Sequence, residues 1–151
     1  MARGEAGFTL LEVVCVVAIV AMIAGLALPS PHPGTSRAGV EQLARSAASL
    51  FKRDRYAAVR RRAAVVARVD MRAREIRSGS DRTVVRVPED VEMRATVAAG
   101  CGSTPETAGF GFYADGRACG GALTLGRGGV VFEVRVNWLT GGVEIVAASP
   151  A

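Results

Sequence analysis

From Phe8 to Leu28 the chain runs 21 residues with one charge, the carboxylate of Glu12, and the next charge is Arg37. At ~1.5 Å per residue a helix of that length reaches about 30 Å, the thickness of a bilayer's hydrocarbon core. The segment is expected to be a membrane-spanning helix, so the rest of the chain must fold on its own. A carboxylate at mid-membrane depth costs roughly 2.5–3.5 kcal/mol even on the lenient insertion scale. Glu12 is therefore expected to have a use. A secretory signal peptide is one alternative, since Gly25-Leu26-Ala27 has the small-x-small form of a cleavage site. Against it, Glu12 interrupts the apolar run and no cluster of positive charge precedes it. An ordinary membrane anchor leaves Glu12 equally unexplained.

Gly7-Phe8-Thr9-Leu10-Leu11-Glu12 resembles the processing site of type IV pilins and the related pseudopilins. The resemblance implies a leader at 1–7 and a transmembrane and assembly helix at 8–28. A membrane-embedded prepilin peptidase would cut after Gly7 and methylate the new amine of Phe8. Gly7 suits the cut, because a small residue lets backbone approach a protease closely. Glu12 would become the fifth residue of the mature chain. In such families its accepted partner during filament assembly is the amine of a neighbouring subunit, which supplies the cation a buried carboxylate needs.

Pro29, Pro31 and Pro33 lie in a linker at 29–35. Each proline removes an amide donor and disfavours helix in the residue before it. Pilins often carry one kinking proline here; three predict a broken helix and a hinge. His32, the one histidine, is read as a linker residue. The domain at 36–151 is expected to start with a helix at 36–61, capped by Thr35 or Ser36, with Glu41 favouring the dipole in its early turns. Val40, Leu43, Ala44, Ala47, Leu50, Phe51 and Ala58 recur at helical spacing, opposite Arg45, Lys52, Arg53 and Arg60. This predicts an apolar stripe lying on a sheet. Arg60-Arg61-Arg62 reads as a favourable charge cluster at the helix C-terminus.

From 64 to 148 the pattern is β. Expected strands are Ala64–Met71, Arg82–Val87, Val91–Val97, Gly111–Tyr113, Ala122–Leu125, Val130–Val136 and Val143–Val146, with a turn at 78–81 and a loop from Ala99 to Gly109. The fold class is α+β: an N-terminal hydrophobic helix, an amphipathic helix, then an antiparallel, pilin-like β-sheet domain.

A second resemblance lies near the C-terminus. Phe112-Tyr113-Ala114-Asp115-Gly116-Arg117-Ala118-Cys119-Gly120-Gly121, then Ala122–Leu125, is similar to the C-terminal signature of the H-type minor pseudopilins of type II secretion. Leu139-Thr140-Gly141 and a last strand fit the end of that family. Ala114 stands where members usually have proline. The resemblance implies a minor pseudopilin in a periplasmic filament, anchored in the inner membrane by a single pass and assembling with major and minor pseudopilins. If the domain is extracytoplasmic, Cys101 and Cys119 are a candidate disulfide; two separate thiols are the alternative. Cys15 is read as membrane packing.

Charge leaves a second function open. From Arg37 to Arg94 there are 15 Lys/Arg and 8 Asp/Glu, net +7, against 4 and 6 elsewhere, net −2. A basic helical half suits nucleic acid or an acidic partner, so a DNA-binding minor pilin is the alternative. An Arg-rich solvated face is the plainer explanation, and Trp138 to Ala151 carries no Lys or Arg. The chain has no G-x-S-x-G, phosphate loop or Cys/His metal spacing, and no enzyme activity, metal or cofactor is expected.

Overall fold

The computed structural model describes residues 9–27, 34–101, 104 and 106–148. The chain divides into two compact units, Met1–Pro33 and Gly34–Ala151. The first contains helix α1, Leu10–Ala27. The expected segment 8–28 is longer at both ends, and Phe8, Leu28 and the proline hinge at 29–33 fall outside the described residues.

The second unit opens with α2, Arg37–Arg61. Ser36 is its N-cap, its Oγ accepting from Gly39 N at 3.2 Å. The helix stops at Arg62, whose left-handed conformation (φ 52°) lets its N–H reach the carbonyls of Ala58 and Val59. Thus Arg62 is the C-cap, and Arg60 and Arg61 occupy the last turn. The expected stripe is buried, with Leu43 at its margin, and it is joined by Ala48, Ala57 and one residue the sequence reading passed over, Asp54.

Eight strands follow: β1 Val65–Asp70, β2 Glu75–Arg77, β3 Val84–Arg86, β4 Glu92–Val97, β5 Thr107–Phe112, β6 Gly121–Arg127, β7 Val130–Val136 and β8 Val143–Ala148. They form two antiparallel four-stranded sheets, β3-β2-β1-β5 and β4-β6-β7-β8. The apolar face of α2 lies on both sheets. Phe51 stacks on Phe110 of β5 at 4.7 Å between centroids and tilts against Phe112 at 6.2 Å. Val134 of β7 and Leu123 and Leu125 of β6 complete the core from the second sheet.

Two expectations are corrected. Glu75–Arg77, not assigned as a strand from sequence, is β2; it is short and places one side chain, Ile76, in the core. The loop expected from Ala99 to Gly109 ends earlier, because β5 begins at Thr107 and pairs with β1 over six residues. Its sequence alternates glycine with Phe110 and Phe112, and Thr107 is its one β-branched residue, so the strand signal is weak. β5 is buried from Ala108 to Phe112, so it is covered on both faces, and Cys119 Sγ lies at ordinary contact distance, 3.5 Å, from where a Cβ on Gly111 would stand.

Candidate processing and assembly site

Thr9 begins α1. Its carbonyl accepts from Glu12 N at 3.0 Å and Val13 N at 3.3 Å, and its hydroxyl accepts from Glu12 N at 3.3 Å. Thr9-Leu10-Leu11-Glu12 therefore has the spacing of a capping box, with Glu12 at the third helical position. A carboxylate there lies in the positive field of the helix N-terminus, worth about 0.3–1 kcal/mol at an exposed site. This local role for Glu12 was legible in the Thr-x-x-Glu spacing and was missed.

Every described side chain of α1, Leu10 to Ile23, is exposed, with apolar residues around the whole circumference and Cys15 a free thiol. A helix apolar on all sides is stable when something apolar surrounds it. Among the described residues no helix is long and apolar enough to cross a membrane.

The stretch that resembles the pseudopilin signature is an ordered corner. Phe112 and Ala118 bridge, Cys119 N donates to Gly111 O at 2.7 Å, and Tyr113 N to Arg117 O at 2.9 Å. Gly116 takes a positive φ of 87° in the turn between them. Asp115 pairs with Arg117, and that hydrogen bond holds the Asp115 carboxyl below the usual carboxylate range. Cys101 and Cys119 are joined by a disulfide, Cα–Cα 6.0 Å. The Tyr113 hydroxyl lies 3.3 Å from Cys119 Sγ. From α2, Arg55 Nε donates to Gly116 O at 3.3 Å. Gly141 belongs to the same corner: a Cβ there would come within 2.3 Å of Gly116 O, so glycine lets the β7–β8 turn touch the β5–β6 turn.

Two polar clusters brace this unit, and neither was anticipated. Asp54 is fully buried. It accepts from Ser78 Oγ at 2.6 Å, Gly79 N at 2.8 Å, Ser80 N at 3.1 Å and Ser80 Oγ. The carboxylate pins the β2–β3 turn to α2. A Cβ on Gly79 would stand 2.3 Å from Val66 O, so the turn lies directly on β1. The second cluster sits where the domain begins. Asp90 accepts from Thr35 N at 2.6 Å and Thr35 Oγ1 at 2.9 Å. Arg127 pairs with Asp90 at 2.9 Å and donates to Thr35 O at 2.6 Å. The Thr35 N–H, aided by its hydroxyl and the Arg127 guanidinium, holds the Asp90 carboxyl below its ordinary range.

The family described as the prokaryotic N-terminal methylation motif matches residues 2–28, which include Gly7, Phe8 and Glu12. This N-terminal motif, with an α+β fold of two helices followed by antiparallel sheets, supports a type IV pilin-like protein. The motif is consistent with prepilin peptidase processing, N-terminal methylation, membrane anchoring and assembly with other pilin-like subunits. No curated protein and no solved structure matches the chain. Gly7 and Phe8 themselves lie outside the described residues.

Proposed function

We propose that the chain is a minor pseudopilin of a type II secretion system, a structural subunit of the periplasmic pseudopilus that supports protein export across the outer membrane. Prepilin peptidase cuts after Gly7 and methylates Phe8. The segment 8–28 anchors the chain in the inner membrane by a single pass, with the domain in the periplasm. The chain does its work by packing and carries no catalysis. The observation that carries this reading is α1: apolar all round, with its single carboxylate in the first turn and inside the methylation motif. Such a helix gains from apolar neighbours, and Glu12 among them gains from a cation they supply. Support for the secretion branch comes from the ordered Phe112–Cys119 corner on the residues of the H-type signature. The Cys101–Cys119 disulfide suits an extracytoplasmic domain.

Glu12 variants test the reading and separate its two roles. Glu12→Ala is expected to be processed after Gly7 but to fail to co-assemble with the other pseudopilins and to impair secretion. Glu12→Gln keeps a residue that serves a capping box while removing the charge. It is expected to fail as Glu12→Ala does; normal co-assembly of Glu12→Gln would reduce Glu12 to a helix cap.

A DNA-binding minor pilin is the second reading, favoured by the exposed Arg45, Lys52, Arg53 and Arg60 of α2. Phosphate contacts would make binding fall steeply with salt. Absence of salt-sensitive DNA binding at micromolar protein in a gel-shift titration eliminates it.

A further inference from the structure

The two sheets have four edge strands, and they are not equally protected. β3 has three residues, ends at the exposed Arg86 and is followed by Pro88 two positions on. Short, charged, proline-flanked edges deter pairing. β4 and β5 lie against each other. β8 is twice as long as β3 and has no proline within it, although Pro150 follows two positions beyond its end. Val143–Ala148 is six residues long, with no proline, no Lys or Arg, and one charge, Glu144. Among the described residues no strand pairs with its outer side.

The register shows what that side offers. Asn137 N donates to Gly142 O at 2.9 Å, at the start of the ladder in which Arg135 faces Glu144 and Glu133 faces Val146. Antiparallel pairs alternate between hydrogen-bonded and non-hydrogen-bonded. Glu144 and Val146 therefore bond to β7, while Val143, Ile145 and Ala147 turn their N–H and C=O groups outward. The side chains of these same three residues point to the α2 side, since Ile145 stands opposite the fully buried Val134. Ile145 is 38% exposed and lines one hollow with Tyr56, Arg45, Lys52 and Arg53 of α2. Three cations border that hollow, of which Arg45 is already paired with Glu41 at 2.5 Å, leaving Lys52 and Arg53 to set its charge.

We propose that the outer edge of β8 receives an extended strand of a partner protein whose α2-facing side chains are acidic. The strand's backbone bonds to Val143, Ile145 and Ala147, and its carboxylates lie over Lys52 and Arg53. Backbone pairing supplies affinity and the charges supply choice of partner. A second copy of this chain is a poor occupant. A two-fold pairing of β8 with itself would place two basic hollows on the same side of one joined sheet. Nucleic acid would use the cations and leave the edge unused. The proposal rests on the unit Gly34–Ala151 alone and stands whichever filament the chain joins.

The test uses full-length protein in detergent micelles and two fluorescein-labelled peptides, one alternating Val and Glu, the other Val and Lys, followed by fluorescence anisotropy. The Glu peptide is expected to bind saturably, and the Lys peptide at least about tenfold more weakly, as charge complementarity requires. Ala147→Pro removes an outward N–H without touching the β7 ladder, and is expected to abolish binding with the far-UV circular dichroism unchanged. Lys52→Glu with Arg53→Glu, both exposed, should reverse the peptide preference. That pair decides the matter if Ala147→Pro fails to fold. The proposal is overturned by no saturable binding of the Glu peptide at millimolar concentration, or by equal binding of both peptides. Unchanged preference in the charge-reversed variant also overturns it, as does self-association of the wild type that Ala147→Pro abolishes.

Discussion

Replacing Asp54 with alanine should loosen the contact between α2 and the β2–β3 hairpin more than any surface change on the same helix. The wild-type carboxylate is the acceptor for two backbone amides, Gly79 and Ser80, and two hydroxyls, Ser78 and Ser80. The hydroxyls are partly buried and can turn to water or to each other, since Ser78 Oγ and Ser80 Oγ are already 3.2 Å apart. The Gly79 amide is fixed in the turn and loses its acceptor, whereas the Ser80 amide keeps Ser78 Oγ at 3.1 Å. At about 1–3 kcal/mol for one unsatisfied group, the loss is about 2 kcal/mol. That is a large part of the 5–15 kcal/mol typical of a domain. Urea unfolding of the full-length protein in micelles, with wild type and Asp54→Ala compared at equal m-value, measures it. Hydrogen exchange should show selective loss of protection at Gly79. A loss under ~0.5 kcal/mol, within the range of ordinary surface substitutions, would refute the clamp.

Gly79→Ala should be destabilising by more than 1 kcal/mol, the typical cost of helix or strand propensity alone being smaller, because the new Cβ meets Val66 backbone at 2.3 Å; the same unfolding curve checks it. Cys119→Ser, or reduction, opens a loop of 18 residues' separation and should cost on the order of 3 kcal/mol; an unchanged midpoint after reduction would contradict a stabilising bond. Asp90 has a folded-state pKa lowered below its unfolded value, chiefly by the Thr35 N–H. Its contribution is therefore complete above the ordinary carboxylate pKa of ~3.9 and lost as pH falls through the lower folded value. Asp90→Asn should flatten the acid limb of the stability curve in that window, and an unaltered limb would show that the cluster at Thr35 does not matter to folding.

How far the sequence foretold this fold depends on how many residues carried each signal. Helix α2 has 25 residues and a stripe at helical spacing, so its limits were legible to within a residue. β7, with alternating apolar and charged positions, was equally plain. β2 has three residues, too few for any period, and exists because β1 and β3 flank it. β5 alternates Gly with Ala and Phe, and its strand character comes from pairing with β1 and stacking on Phe51. Asp54 is more instructive. Positions 40, 44, 47, 51, 54 and 58 form one continuous buried stripe, and a carboxylate in it demands donors. That demand was readable, whereas the donors, 24 to 26 residues further along, were a tertiary fact. At the N-terminus the Thr9-x-x-Glu12 spacing of a helix cap overlaps the Gly7–Glu12 motif, so one short stretch carries two signals and the charge of Glu12 masks the cap.

The most direct test is the N-terminus of the membrane-bound protein, read by intact mass and N-terminal sequencing from cells that contain prepilin peptidase. The account predicts a chain that begins at Phe8 with a methylated amine, so that Glu12 is the fifth residue. A chain that begins at Leu28, as after signal-peptide cleavage at Gly25-Leu26-Ala27, would contradict it.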